Sequence, residues 1–103
     1  MDSLTNKMSI IRKVISDYAQ PPVNGHSDLT QSPDGRVFTV VDIYEYQGKR
    51  YADAGLIVRI TDAHIIVECD MNNKPLVDAL VQAGIARNQI ILAYAGEPVQ
   101  EPA

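Results

Sequence analysis

Between Arg36 and Asp70 the chain carries three strand-like runs whose connections are too short for anything but hairpins. The runs are about Arg36–Tyr46, Arg50–Ile60 and His64–Asp70, each rich in valine, isoleucine or tyrosine. Neighbours joined this tightly must pair antiparallel, because a parallel return needs a crossover of a dozen residues or more. With Gln47-Gly48 at the first tip, Ile43 faces Ala52 and Val41 faces Ala54. With Asp62-Ala63 at the second tip, Ile60 faces Ile65, Val58 faces Val67 and Leu56 faces Cys69. Strict alternation puts this whole set on one side of the sheet, the expected core side, and a one-residue slip would move all of it to the other. The opposite side then receives Phe38, Val40, Asp42, Tyr44 and Tyr46 from the first run, and Tyr51, Asp53, Gly55 and Ile57 from the second. The third run adds Ile66, Glu68 and Asp70. Glu45 faces Arg50, an exposed pair worth ~0–1 kcal/mol.

Helices flank this meander. Leu4, Met8, Ile11, Ile15 and Tyr18 recur at spacings of three and four, which predicts a helix over about Leu4–Ala19, with Asp2 or Ser3 as N-cap. Pro21-Pro22 stops it, since proline has no N–H to give and clashes with the preceding turn. Residues 20–35 read as a loop with an edge strand near Ser27–Gln31 and a turn at Ser32-Pro33-Asp34-Gly35. A short second helix is expected over about Pro75–Ala83, capped by Asn73 and closed by Gly84. The run Ile90–Tyr94 is too short for a helix and reads as a final strand. The expected fold class is α+β: N-terminal helix, antiparallel β-meander of three long strands, short second helix, final strand. Residues 1–94 form one domain, and 95–103 a flexible tail.

Charge narrows the class of partner. The formal net charge is −4, with thirteen acids against nine lysines and arginines that are scattered along the chain. Direct DNA binding needs clustered cations to displace counterions, so this balance argues against it. There is no apolar run long enough for a membrane span and no signal-peptide pattern. The single cysteine, Cys69, excludes an internal disulfide. A cytoplasmic protein is the expectation, and self-association stays open.

The sequence lacks a glycine-rich phosphate loop and the CxxC, HExxH and GxSxG motifs. His26 and His64 would need a third ligand to hold a metal. Cys69 is flanked by Glu68 and Asp70, which disfavour a thiolate. No catalytic residue, cofactor or metal is therefore expected, and the chain reads as a binding protein rather than an enzyme. The informative feature is the mixture of tyrosines and carboxylates on the face opposite the expected core, where Asp42 sits across from Asp53. Like charges so placed destabilise a strand pair. A helix could cover part of this face, the face could bind a protein through tyrosine anchors, or the carboxylates could serve acid–base or metal chemistry. Asp42, Tyr44, Tyr46, Tyr51, Asp53 and Asp70 are the candidate partner-binding residues.

The order of motifs resembles the XisI family, the fdxN-element excision controlling factors. The resemblance runs from Ile10-Ile11 through Tyr18-Ala19 in the first helix. It continues from Phe38 at the entry to the first long strand to Arg50 opening the next, the Asp62-Ala63 turn, the strand end at Asp70, Gly84 and the Ile90–Tyr94 strand. The family's Gly-Trp is Tyr44-Glu45 here, its Thr-Glu is Asn72-Asn73, and its Asp-Gly turn is Asp62-Ala63. The resemblance implies an accessory factor that controls excision of a DNA element through a protein partner, either a nuclease-like XisH-type protein or a recombinase. An immunity or antitoxin-type inhibitor that masks a basic nuclease site is the alternative, and a small carboxylate enzyme a more distant one.

Overall fold

The computed structural model describes residues 3–99, with side chains from residue 6 onward. Helix α1 (Ser3–Ser16) is followed by strands β1 (Gly25–Gln31), β2 (Val37–Tyr46), β3 (Lys49–Ile60) and β4 (Ile65–Asp70). Helix α2 (Leu76–Gln82) and a single 3-10 turn (Arg87–Gln89) lead to β5 (Ile90–Leu92). The five strands lie in one sheet in chain order, antiparallel from β1 to β4. β5 joins β4 in parallel, so α2 is the crossover that this pairing requires. This is the expected α+β architecture, with the edge strand of the loop realised as β1. Among the described residues no helix is long and apolar enough to cross a membrane.

α1 buries Ile11 and Ile15 completely, and Met8, Ile10, Val14 and Tyr18 pack around them. Its last turn tightens: the N–H groups of Asp17, Tyr18 and Ala19 donate to the carbonyls three residues back, which satisfies the carbonyls left orphaned at a helix end. Asp2 and the side chains of Ser3 and Leu4 fall outside the described residues. The first hairpin turns on Gln47 and Gly48 with φ of 53° and 77°. Two consecutive left-handed residues are the type I′ geometry whose twist suits paired strands. Ala63 has no positive φ. The second tip instead closes with the His64 N–H donating to the Thr61 hydroxyl at 3.0 Å.

Both helices pack on one side of the sheet. The core there comprises Phe38 and Val40, Leu56, Val58 and Ile60, Ile65 and Val67, and Ile90, against Ile11, Ile15, Leu76, Leu80 and Ile85. Phe38, Val40, Asp42, Tyr44, Tyr46, Tyr51 and Asp53 were expected on the face opposite the core, and Val41, Ile43, Ala52 and Ala54 on the core side. The structure reverses both sets, and the correction has a local cause. The register follows expectation from the tip inward, with Ile43 opposite Ala52, Asp42 opposite Asp53 and Val41 opposite Ala54. A bulge at Gly55 then makes Val40 the partner of Leu56. An extra residue in one strand inverts its alternation relative to its neighbour. Phe38, Val40, Asp42 and Tyr44 therefore share the helix side with Leu56 and Val58 as well as with Tyr51 and Asp53. A second irregularity at Glu68 sets Cys69 opposite Ile57 and Asp70 opposite Leu56, where Cys69 had been expected opposite Leu56. Val41, Ile43 and Ile57 lie on the far side.

The second helix starts differently from expectation. Asn73 does not cap it; the Asp70 carboxylate does, accepting the Leu76 N–H at 2.8 Å with one oxygen. Its other oxygen accepts the Asn72 N–H at 3.0 Å and the Asn72 side-chain amide at 2.8 Å. Gly84 closes the helix at φ 105° as predicted. Asp70→Ala is expected to cost about 1–2 kcal/mol, the range for losing a helix cap. Urea unfolding followed by circular dichroism measures this, and Asp70→Asn should recover part of the loss through its remaining amide oxygen. At the C-terminal end, Ala93–Ala95 form a 3-10 turn where strand had been expected to run on to Tyr94. Glu97 reaches back to accept the Leu92 N–H at 2.8 Å and to pair with Arg87 at 2.9 Å. The Leu92 backbone bond and then Arg87 hold the Glu97 carboxyl below its usual range. Glu97, within the stretch read as tail, is tied to the domain.

Candidate functional site

The distal half of the β2–β3 hairpin, beyond the Gly55 bulge, continues the helix side of the sheet. Three cross-strand pairs occupy it: Asp42 with Asp53, Tyr44 with Tyr51, and Tyr46 with Lys49. The rings of Tyr44 and Tyr51 stack with centroids 5.4 Å apart and planes 14° from parallel. The Lys49 ammonium lies 5.6 Å from the Tyr51 centroid, within cation–π range. The Tyr44 hydroxyl donates to Asp53 Oδ2 at 2.9 Å, and the Ser27 hydroxyl of β1 donates to Asp42 Oδ1 at 2.7 Å. Each member of the opposed carboxylate pair thus has its own hydroxyl donor, which offsets the repulsion anticipated from the sequence. The hydrogen bond to Asp53 is the main reason the Tyr44 phenol is raised above its ordinary value, so the phenol remains a proton donor in that bond.

These side chains edge a cleft of about 430 Å³ lined by Asp42, Tyr44, Asp53, Ala54, Gly55, Cys69 and Met71. Gly55 is what lets Asp42 lie in it: an ideal Cβ there would stand 2.5 Å from Asp42 Oδ2. Met71 is 77% exposed beside the acids, and Tyr46 is 60% exposed near the hairpin tip. Burial, then Asp70, raises the Cys69 thiol, whose sulfur lies 3.6 Å from the Ala54 carbonyl. Protonated and turned to a backbone acceptor, it lines the cleft as a small soft surface rather than a nucleophile. A larger cleft of about 520 Å³ between α1 and α2 is lined by Val14, Asp17, Tyr18, Lys74, Ala79, Gln82 and Ala83. It gathers no stacked aromatic pair and no opposed carboxylates, so the hairpin cleft is the better candidate.

Of the six residues singled out from the sequence, Asp42, Tyr44, Tyr51 and Asp53 come together. Tyr46 lies next to them at the tip. Asp70 does not join them, because its carboxylate is spent on the start of α2. Ser27, Lys49, Gly55 and Met71 had not been singled out. Glycine in the interior of a strand was the one available signal for the bulge.

The chain matches the profile of a family described as XisI protein over residues 1–101. The chain belongs to the XisI family. Among solved structures, a XisI-like protein from Anabaena variabilis superposes with a TM-score of 0.76 at 16% identity, covering 87% of this chain and 85% of that one. The fdxN element excision controlling factor XisI from the same organism gives 0.72 at 23% identity, covering 90% and 93%. No curated protein matches the chain significantly. The XisI fold recognised from motif order is thus the fold observed.

Two residues singled out by the resemblance have visible structural roles. Tyr44 supplies both the ring stacked on Tyr51 and the hydroxyl bound to Asp53. Asn72 grips Asp70 and its amide lies 3.5 Å from the Gly55 carbonyl, linking the β4 end to the bulge. Among the described residues no group of three or more His, Cys, Asp or Glu side chains converges to hold a metal ion. Carboxylates beside tyrosine faces suit the capture of a lysine or arginine side chain by charge and by ring quadrupole together.

Proposed function

We propose that this chain is a regulatory accessory protein of DNA-element excision, acting in the cytoplasm by docking a protein partner on the distal half of the β2–β3 hairpin. The observation that carries the reading is the stacked Tyr44–Tyr51 pair set among Asp42 and Asp53 on a projecting hairpin, in a chain of the XisI family. Family membership and the fold shared with an excision controlling factor support the process. The partner proposed is an XisH-type, nuclease-related protein or a recombinase, presenting a basic segment to the cleft. Tyrosine anchors contribute most of the energy at such surfaces, while the carboxylates chiefly hasten encounter and select against acidic partners. The net charge of −4 fits action through protein rather than through DNA phosphates.

The test is binding of the purified chain to its XisH-type genomic neighbour by calorimetry. The double substitution Tyr44→Ala/Tyr51→Ala is expected to weaken the complex by at least ~2 kcal/mol, roughly 30-fold, the scale of lost hot spots. Both rings lie on the hairpin beyond the core, so the circular dichroism spectrum should stay native. A native double variant that binds with unchanged affinity removes the hairpin from the interface.

A further inference from the structure

We infer that the helix-free face of the sheet is the contact between two copies of this chain. An antiparallel sheet with one solvated face normally alternates apolar with polar residues along each strand. This one does not. Opposite the helices it carries Val37, Thr39, Val41 and Ile43 from β2, Ala52, Ala54 and Ile57 from β3, Ile66 from β4 and Ile91 from β5, so apolar side chains predominate where polar ones should come out. Ile66, between Arg59 and Ile91 in the register, is already only 1% exposed within the single chain, so the area left for a partner is that of the half-buried Val37, Val41, Ile43, Ile57 and Ile91. Near-continuous apolar runs of this kind belong to strands covered on both faces.

The charges on this face point to a second copy as the cover. Arg59 pairs with Glu68 at 2.8 Å, His26 stands 3.5 Å from Asp28, and Glu45 lies opposite Arg50. Acids and bases alternate and offset one another locally. Asp42 and Asp53 lie on the other side, and Asp70 turns to α2. Two chains of net charge −4 repel through most approaches, and this nearly balanced face is where they repel least. Mixed signs around an apolar centre are self-complementary under a two-fold axis, where each acid can meet the symmetry-related base. They offer little to a strongly basic or strongly acidic partner. The size of the face reaches the lower end of what a stable contact needs. Strands of 7, 10, 12, 6 and 3 residues, at roughly 3.4 Å of rise and 4.8 Å of spacing, make a face on the order of 600 Å². Stable interfaces bury about 800 Å² per partner. Packed this way, the dimer turns both hairpin clefts outward, and the inference stands whether or not those clefts bind the proposed partner.

Sedimentation equilibrium of the full chain across a wide concentration range tests it. The wild type is expected at about twice the mass of one chain. Ile43→Lys places a charge from each copy within the contact in place of an apolar side chain and should return the mass to that of the monomer. Ala52→Arg, at an exposed position opposite Ile43 on the same face, should do the same without touching the core and decides the matter if Ile43→Lys fails to fold. Tyr44→Ala, on the other side of the sheet, should remain dimeric. A wild type that stays monomeric at every concentration overturns the inference, as does a folded Ala52→Arg variant that stays dimeric.

Discussion

Phe38→Ala is expected to lose about 3–5 kcal/mol of folding stability, the range for removing a fully buried aromatic ring. Phe38 is 1% exposed, the chain's only phenylalanine and among its largest fully buried side chains. It lies where α1 and α2 meet the sheet, opposite Val58 and within one cluster with Ile11, Ile15 and Leu80. Loss of the ring removes transfer energy and leaves a cavity that rigid neighbouring strands can only partly close. Urea unfolding measures the effect. The same substitution would cost well under half as much if strict alternation held and Phe38 stood on the helix-free face. The experiment therefore also tests the bulge: a loss below about 1 kcal/mol, ordinary for surface substitutions, would return Phe38 to that face.

The second large effect is expected at the bulge. Gly55→Val should destabilise the fold by about 2–3 kcal/mol, in the range for forcing extra methyl groups into a packed site. Gly55 does not have a left-handed φ, so the cost is one of space rather than of backbone conformation. Its missing Cβ is the room that Asp42 Oδ2 occupies. Swinging the Asp42 carboxylate away would cost the hydrogen bond that its other oxygen accepts from Ser27 at 2.7 Å. A double-mutant cycle separates the causes. Asp42→Ala should be mild alone and should recover at least ~1 kcal/mol in the Gly55→Val background, because residues in contact couple. Full additivity of the two changes would show that the clash with Asp42 is not the reason Gly55 is glycine.

Most of the architecture was legible from local signals, because each element is announced by residues within or beside it. Apolar spacing marked α1, Pro21-Pro22 its end, Gln47-Gly48 a type I′ turn and Gly84 the close of α2. The turns in turn fixed the pairings nearest them, Ile43 with Ala52 and Ile60 with Ile65. The reading failed with distance from the turns. Alternation extrapolates along a strand, and one inserted residue inverts everything beyond it. The bulge at Gly55 therefore moved Phe38 and Val40 to the core, and that at Glu68 moved Cys69 away from Leu56. The usual safeguard, a polar face that betrays a wrong register, was weak because β2 to β5 carry apolar residues on both sides. The candidate site survived this error in part. Asp42, Tyr44, Tyr51 and Asp53 lie between the bulge and the tip, where the pairings were right, although they stand on the helix side and not on the face opposite the core. Asp70 lies beyond the second irregularity, and its role in starting α2 depends on a three-dimensional approach to Leu76 that no spacing rule announces.

The extra residue at Gly55 also bears on how such a protein can evolve. On one strand it divides a stretch that must satisfy the helices from a stretch that meets only solvent or a visitor. Because the inversion is absorbed at a single residue, side chains toward the tip can be exchanged without repacking Phe38, Leu56 or Val58. The tip of the hairpin can thus change its surface chemistry while the rest of the domain is inherited unchanged.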